Sequence, residues 1–484
     1  MINPRIVLAL LLTLCASTLA LAQHDVGGGS TVGGGSTDRG SARIRRAPTP
    51  APRRTRPATP VRRGLTAEQL NQQGDTLFEG ENYDDALDLY TRAIQLKPIA
   101  TAYYHIGWIY NDRENYDSAL AALQQAVRLN STYAVAFDEL AYTYRSLKRY
   151  DDAFFAYRRA ISIDPNFAKA FYGTGWTYND MGRYSDAVQP LNQAITLKPD
   201  YAEAYNELGY AYRKLKRSQE AISAYRRAIS LKTDYSSAYF GLGDVYFYDT
   251  NQYRDAIQAY GSALAIKPEN ATANYNIGWS YNELKQYPQA ITALEKAIRL
   301  KPDYPEAYAE LGFAYRRVDR FDEAMRAYNE SIRLKPDYAQ PRFGLGDLYF
   351  DNLNRYEDAI TAYEGALRLQ PNNAIANYRV GWSYNDLQRY SDAIPYLREA
   401  VRLKPEYSEA FNELGFALLN TQGYNEAVAS FREATRIKPD YGLAYYNLGI
   451  TYLSMRDKNR ALEQYRILQR IDPQRAAKLY AEIK

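Results

Sequence analysis

Small, large apolar and helix-breaking residues recur along this chain with a fixed spacing. Nine glycines follow one another every 34 or 35 residues. Small residues let two helices approach closely, large apolar residues fill the space between them, and proline ends a helix. The pattern therefore predicts a pair of helices in each period and a stack of such pairs, because one pair cannot bury its own apolar face. In one period the glycine, the first alanine, the large apolar residue, the second alanine and the proline are Gly175, Ala187, Leu191, Ala194 and Pro199.

A longer period is superimposed on the first. Trp176, Trp279 and Trp382 lie in the near-identical stretches GWTYND, GWSYNE and GWSYND, and successive copies are 103 residues apart. The repeating block is thus a cassette of three helix pairs. Two repeats carry one extra residue between their helices, near residues 248–251 and 351–354, which predicts two loops of similar shape that project from the same edge.

The spacing of glycine, alanine and proline resembles the tetratricopeptide repeat family over roughly residues 66–473. The resemblance implies an all-α fold, a right-handed superhelical solenoid of about twelve antiparallel helix pairs, over residues 65–473. Residues 474–484 look like a short amphipathic capping helix. Many of the 48 tyrosines stand at helix-packing places, where their rings are expected to fill the core. Six of these are Tyr90, Tyr157, Tyr225, Tyr260, Tyr328 and Tyr363.

The N-terminus has the pattern of an export signal. Arg5 precedes an apolar run over residues 6–14, and Ala20, Leu21 and Ala22 offer a cleavage site before Gln23. We expect residues 1–22 to be a cleaved signal peptide and the protein to be exported, to the periplasm or outside the cell. Cys15 is the only cysteine and lies in this segment; Leu14 before it favours cleavage over lipid anchoring.

Residues 23–64 are rich in Gly and Ser and then in Pro and Arg, which predicts a disordered linker. Residues 1–64 hold ten arginines and two acids, net +8, which leaves the rest of the chain near −4 of the total +4. The linker is either a solvated spacer or an arm that contacts an anionic surface. We expect no nucleic-acid partner for an exported chain.

In tetratricopeptide arrays the concave face is made by the first helix of each pair, and the resemblance implies that places 5, 9, 12 and 13 of that helix face the groove. The repeats then fall into three kinds. The first presents Tyr, Trp, Asn and an acid, the second an aromatic residue with Arg after a Glu at place 6, and the third Phe, Asp and Phe. The groove candidates of the first kind are Tyr104, Trp108, Asn111, Asp112, Tyr172, Trp176, Asn179, Asp180, Tyr275, Trp279, Asn282, Glu283, Tyr378, Trp382, Asn385 and Asp386. Those of the second and third kinds are Tyr210, Arg213, Phe313, Arg316, Phe240, Asp244, Phe247, Phe343, Asp347 and Phe350.

Such a face suits an extended ligand, either a peptide or a glycan. The aromatic rings would stack on the ligand, and the amides and charged groups would fix the register of the ligand along the groove. The alternative interpretation is that the tryptophans wedge between neighbouring first helices and that arginines such as Arg213 and Arg316 pair with aspartates of adjacent repeats. No catalytic motif, cofactor or metal site is expected. His105 has no copy in later cassettes, which favours a local surface histidine.

The sequence favours a non-catalytic, exported protein-interaction scaffold. One alternative is a structural subunit that assembles head to tail into extracellular filaments. Another is a periplasmic scaffold for polysaccharide export or wall assembly.

Overall fold

The computed structural model describes residues 65–484, which form 25 α-helices and two π-helical turns without a β-strand. The all-α prediction is confirmed, while the right-handed superhelix stays a prediction. None of the helices in this part of the chain has the length and apolar character needed to cross a membrane. The predicted signal peptide, Cys15 and the predicted linker lie outside the described residues.

The first compact unit comprises residues 65–269. A π-helical turn (Val245–Asp249) follows its eleventh helix. The helices are α1 (Ala67–Glu79), α2 (Tyr83–Leu96), α3 (Ala100–Asp112), α4 (Tyr116–Leu129), α5 (Ala134–Ser146), α6 (Tyr150–Ile163), α7 (Ala168–Asp180), α8 (Tyr184–Leu197), α9 (Ala202–Lys214), α10 (Ser218–Leu231), α11 (Ser236–Asp244) and α12 (Tyr253–Ile266).

The second compact unit comprises Asn270–Lys484. A second π-helical turn (Leu348–Asn352) follows α17. The helices are α13 (Ala271–Glu283), α14 (Tyr287–Leu300), α15 (Pro305–Arg317), α16 (Phe321–Leu334), α17 (Gln340–Asp347), α18 (Tyr356–Leu367), α19 (Ala374–Asp386), α20 (Tyr390–Leu403), α21 (Ser408–Asn420), α22 (Tyr424–Ile437), α23 (Gly442–Ser454), α24 (Lys458–Ile471) and α25 (Pro473–Ile483).

Short turns join the first helix of each pair to the second. Between α3 and α4, for example, Glu114 has a φ of 58° and so takes the left-handed conformation. A turn this short makes the two helices run antiparallel. The same conformation recurs in each such turn, at Glu81, Glu114, Lys148, Gly182, Lys216, Asn251, Lys285, Asp319, Asn354, Gln388, Gln422 and Arg456.

An arginine at the start of many second helices ties the turn to both helices. The Arg149 guanidinium lies 4.6 Å from the ring centroid of Tyr144 on α5, and its Nη2 is 2.7 Å from Asp152 on α6. Exposed contacts of this kind add little stability individually, but together they fix the turn. The equivalent arginines are Arg183, Arg217, Arg320, Arg355 and Arg389.

The recurrent glycines lie where the first helix crosses the second. A Cβ atom on Gly278 would stand 2.5 Å from Cγ of Leu294, and one on Gly312 would stand 2.7 Å from Cδ1 of Tyr328. These positions accept no side chain, because the large residue of the second helix already fills the space. The six tyrosines predicted to pack in the core are each 3 % exposed or less, which confirms that prediction.

The two extra residues do not form the projecting loops that the sequence predicts. Each is absorbed in a π-helical turn, in which Thr250 N–H donates to Val245 C=O at 3.1 Å and Leu353 N–H donates to Leu348 C=O at 3.2 Å. One inserted residue in a helix can be held by i→i+5 hydrogen bonds that keep the backbone paired. The helix is therefore widened locally, and the chain still re-enters the next helix in register.

The last helix, α25, packs against α23 and α24. Ala476, Leu479 and Ile483 are buried in this contact, whereas Lys478 and Glu482 are exposed. Within the same unit, α21 contacts the preceding pair, α19 and α20, in the same way. Thus α25 covers the apolar side of the final pair and presents charged residues outward.

Candidate functional site

The predicted groove residues lie along the first helices, and many of them contact the neighbouring first helix. The place-5 tyrosines of the first kind lie against the tyrosine that precedes the next first helix, with the two rings tilted to each other. Their phenol rings therefore link consecutive repeats. The ring centroids are 5.3 Å apart in Tyr104–Tyr133, 5.0 Å in Tyr172–Tyr201, 4.8 Å in Tyr275–Tyr304 and 4.8 Å in Tyr378–Tyr407.

The four place-12 asparagines are buried and join neighbouring repeats. Asn282 Nδ2 on α13 donates to the backbone oxygen of Glu310 on α15 at 3.2 Å and to its Oε2 at 2.9 Å. These amides are thus structural connectors rather than exposed groove groups. The other asparagine–glutamate junctions are Asn111–Glu139, Asn179–Glu207 and Asn385–Glu413.

The electrostatics of these junctions differ. Burial raises the pKa of Glu207 and that of Glu310 to about 7, against the opposing effect of the asparagine amide. Glu139, by contrast, lies 3.6 Å from Lys169 Nζ, which is also 2.9 Å from the buried Asp138. A cation thus compensates one junction, whereas the Glu310 carboxyl group accepts from the Asn282 amide and forms no ion pair within the described part of the chain.

The four tryptophans are partly exposed, and Trp108, Trp176 and Trp382 also contact the preceding repeat. Phe78 meets Trp108 edge to face at 4.9 Å, and Phe350 meets Trp382 at 5.0 Å. The alternative interpretation from the sequence, a wedge between first helices, is therefore correct for these rings. Their remaining exposed surface still faces solvent.

Trp176 has a different neighbour. The guanidinium carbon of Arg145, on the preceding first helix, lies 3.2 Å from its ring centroid. Arg145 Nε also lies 2.6 Å from Oδ2 of Asp180, which stands one helical turn after Trp176. The tryptophan and the acid together bind a guanidinium group.

The same tryptophan–acid spacing occurs in the other repeats of the first kind. The acids are the last residues of their helices, where the helix dipole disfavours negative charge by about 0.3–1 kcal/mol. In the Trp279 copy the indole Nε1 donates to Glu283 Oε1 at 3.3 Å. The three further pairs are Trp108 with Asp112, Trp279 with Glu283, and Trp382 with Asp386.

Arginines of the second kind pair with aspartates of the third kind, as the alternative interpretation holds. Arg213 Nη1 lies 2.9 Å from Asp244, and its Nε lies 3.1 Å from Asp249 in the π-helical turn. Tyr260 donates to Asp244 at 2.8 Å. The charges of Arg213, Asp244 and Asp249 are therefore compensated by neighbouring repeats within the array.

The copy of this junction in the second compact unit is looser around its arginine. Arg316 Nη1 is 3.4 Å from Asp347 and 3.9 Å from Asp351. A second arginine, Arg379, forms an ion pair with Asp351 at 2.7 Å, and the Tyr363 hydroxyl group donates to Asp347 at 2.6 Å. Two arginines share two aspartates here, so Arg316 obtains longer contacts than Arg213.

The remaining candidates are aromatic residues in ring clusters. Tyr210 meets Tyr184 at 5.9 Å and Phe313 meets Tyr287 at 6.2 Å, both edge to face. These two rings are partly exposed. The phenylalanines of the third kind line the core more closely: Phe240 contacts Tyr260, Phe247 is buried, and Phe343 packs against buried residues.

His105 is not the surface histidine that the sequence suggests. Its side chain is 19 % exposed, its ring stacks on Phe78 at 4.6 Å, and Nδ1 lies 3.1 Å from Asp75. Burial lowers the pKa of His105, against the opposing influence of Asp75. In the equivalent place of a later repeat, Arg379 makes the corresponding contact with an aspartate of the preceding repeat.

Sequence models of the tetratricopeptide repeat match residues 71–134, 134–167, 156–189, 175–216, 343–408, 421–455 and 443–475. A further model, the cilia and flagella-associated protein 70 C-terminal domain, matches residues 201–339. The chain belongs to the tetratricopeptide repeat family. A comparison with curated protein sequences finds no significant match.

Solved tetratricopeptide structures resemble parts of the chain. YrrB, described as a TPR protein with an unusual peptide-binding site, is 28 % identical and matches 39 % of this chain and 97 % of its own, with a TM-score of 0.37. The APC/C hetero-tetramer Cut9-Hcn1 is 14 % identical over 86 % of this chain and 96 % of its own, with a TM-score of 0.39. Yeast Tom70 is 15 % identical over 86 % and 94 %, with a TM-score of 0.34.

Four charged residues that shape the tetratricopeptide junctions escaped the sequence analysis. Asp249 and Asp351 lie beside the inserted residues, and Lys169 and Arg379 occupy places where the other repeats have different side chains. The signal for all four was a departure from the cassette pattern. A residue that breaks a near-exact repeat marks a local difference in charge or packing.

Proposed function

We propose that this chain is a non-catalytic, exported interaction scaffold whose tryptophan–acid pairs bind the basic side chains of an extended polypeptide. The observation that carries the proposal is the contact of Arg145 with Trp176 and Asp180. It is an internal example of what the arrangement binds: a guanidinium group over an indole ring with a carboxylate at its edge.

The other three tryptophan–acid pairs also have an indole ring and a carboxylate one helical turn apart. The residue on the preceding first helix is not arginine there, since Phe78 and Phe350 take the place of Arg145 before Trp108 and Trp382. A partner's arginine or lysine would supply the cation at the part of the indole ring and the carboxylate that stays open to solvent. The acids stand at helix C-termini, where the helix dipole makes a negative charge unfavourable for folding stability. A role in binding accounts for their charge.

This charge favours a basic polypeptide over a neutral glycan. A glycan would stack on the rings and donate neutral hydrogen bonds from its hydroxyl groups to the carboxylates, whereas Arg and Lys side chains add an ion pair and a cation–π contact at the same two groups. Because α25 covers the apolar side of α23 and α24, that face is not open for head-to-tail assembly into filaments. Export and the role of the linker rest on the sequence pattern.

The test is capture of peptides from a displayed random library by the full chain, followed by affinity measurement with the selected peptides. We expect the peptides to be rich in Arg and Lys. The combined change Asp112→Asn, Glu283→Gln and Asp386→Asn should weaken their binding at least about tenfold, which corresponds to about 1.4 kcal/mol.

Asp180→Asn is the matched control, because that acid already holds Arg145. It should leave the peptide affinity within about twofold, a change below about 0.5 kcal/mol. Selected peptides without basic residues would contradict the proposal, as would unchanged binding by the triple variant. Binding of neutral glycans that survives the triple change would favour a carbohydrate ligand instead.

A further inference from the structure

A solvent-open notch of about 510 Å³ lies in the second compact unit, on the side of the turns rather than beside the tryptophans. Apolar side chains of Phe321, Met325 and Leu353 contribute to its lining. The charged residues around it are Asp319, Arg320, Asp322, Glu323 and Arg355.

One wall of the notch exists because of the inserted residue. Leu353 ends the π-helical turn, and its N–H donates to Leu348 C=O at 3.2 Å. Turns without an insertion have no residue at this place. Phe321 and Met325 come from the first turns of α16, so the notch lies between two consecutive repeats.

The charges at the rim favour a basic partner. Arg320 is paired with Glu323 and Arg355 with Asp358, so both cations are balanced. The two remaining rim acids are Asp319 and Asp322. No cationic side chain within residues 65–484 forms an ion pair with either of them, so the rim carries a net negative charge.

The equivalent place in the first compact unit differs in its side chains. The same cassette positions there hold Ser218, Ile222 and Thr250 in place of Phe321, Met325 and Leu353. That unit nonetheless forms its own π-helical turn. The backbone insertion is therefore shared, and the apolar lining is particular to the second unit.

We propose that this notch is a docking site for one large apolar side chain, flanked by basic residues, on a partner protein. Interfaces concentrate their affinity in a few anchors that fill pockets of this kind. The apolar lining receives the anchor and the acids receive the flanking cations. The site is separate from the tryptophan–acid pairs and needs none of their residues.

The test uses the methionine methyl groups of the full chain as reporters. The chain has four methionines, and Met325 lines the notch. With ¹³C-methyl methionine, the probe is an acetylated and amidated tripeptide with leucine between two lysines. We expect a saturable shift of the Met325 signal with a dissociation constant on the order of 1 mM, while the Met181 and Met455 signals stay fixed.

Two control peptides define the chemistry. Replacing the leucine by glycine, or both lysines by glutamates, should weaken binding at least about tenfold. An absent Met325 shift, or equal shifts with all three peptides, would overturn the proposal.

The matched protein variant is Phe321→Ser with Leu353→Thr, which installs the residues of the other copy. Because the first unit folds with those residues, the variant should keep its helicity and lose the Met325 response at least about tenfold. Unchanged affinity would overturn the docking site. The triple change at Asp112, Glu283 and Asp386 should leave this response intact, which separates failure here from failure of the peptide-binding proposal.

Discussion

The junction between α3 and α5 and the junction between α13 and α15 share an asparagine–glutamate frame but satisfy it differently. In the first, Thr143 donates to Asn111 Oδ1 at 3.0 Å, and Lys169 lies near the Glu139 carboxylate. In the second, Asn282 Oδ1 is buried without a hydrogen-bond partner among residues 65–484. Burial also raises the pKa of Glu310 to about 7.

Two side chains account for the contrast. Thr143 is replaced by Ala314, which removes the hydroxyl group, and Lys169 is replaced in the following repeat by Gln340, which removes the cation. Burial without a neighbouring cation raises the pKa of Glu310, whereas the ammonium group of Lys169 lies beside Glu139. The comparison teaches that two repeats can share one hydrogen-bonded frame and differ in the charge around it.

The largest expected effect comes from removing the cation of the first junction. Lys169→Ala leaves Asp138 and Glu139 buried at 2 % exposure without their partner. We expect a loss on the order of 2–4 kcal/mol, somewhat below that for a fully buried pair because the lysine is half exposed. Urea unfolding measures it, with Gln340→Ala as the control at the same place. A loss below about 1 kcal/mol would mean that the lysine does not compensate these acids.

The same glutamate-to-glutamine change should have opposite signs in the two junctions. Because the folded pKa of Glu310 lies above its ordinary value of 4.5, its contribution to stability falls as pH rises from about 4.5 to about 7. At pH values above this window Glu310→Gln should therefore stabilise the chain, by at most about 3.4 kcal/mol. Glu139→Gln should destabilise it.

Thermal unfolding below and above that pH window checks the pair of variants. Below the window Glu310→Gln should be nearly neutral, because the native carboxyl group is already protonated. Equal effects of the two variants at both pH values would remove the distinction between the junctions.

A smaller effect follows from exchanging the hydroxyl group. Thr143→Ala should cost about 1–2 kcal/mol, since Asn111 Oδ1 loses its donor, and Ala314→Thr should gain up to about 1 kcal/mol by supplying one to Asn282. Chemical unfolding of the two single variants gives both values. A destabilised Ala314→Thr variant would indicate that the junction lacks room for the larger side chain.

The smallest effect should be identical in both regions. Glu114 and Lys285 occupy the left-handed place of their turns, with φ of 58° in each case. Replacement by glycine relieves that strain, and we expect a gain of about 0.5 kcal/mol at either turn. A clear difference between Glu114→Gly and Lys285→Gly would show that the two regions also differ in their backbone.

Much of the fold could be predicted from the sequence, because helix crossing requires a small residue opposite a large one. Gly278 opposite Leu294 is an example, and its spacing is visible without a structure. The inserted residues were visible too, but a loop and a π-helical turn both accommodate one extra residue. Only the backbone hydrogen bonds of Thr250 and Leu353 distinguish them.

The candidate site was harder to predict for a geometric reason. Places 9, 12 and 13 share one helix face, yet that face meets both solvent and the next first helix. Asn282 falls on the buried side of this division and Glu283 on the exposed side, although they are adjacent in the chain. Which residues of this face are buried depends on the spacing between neighbouring first helices. The sequence pattern of a single helix carries no information about that spacing.

The most direct test of this comparison is the infrared carbonyl signal of a protonated carboxylic acid in the full chain, recorded slightly below neutral pH. Difference spectra are taken between the native chain and each glutamine variant. The account predicts a protonated-acid band in the Glu310→Gln difference spectrum and none in the Glu139→Gln difference spectrum. Glu207, whose pKa burial also raises to about 7, is present in the native chain and in both variants, so its signal cancels. A protonated-acid band in the Glu139→Gln difference spectrum, or none in the Glu310→Gln difference spectrum, would contradict the claim that the second junction carries the proton.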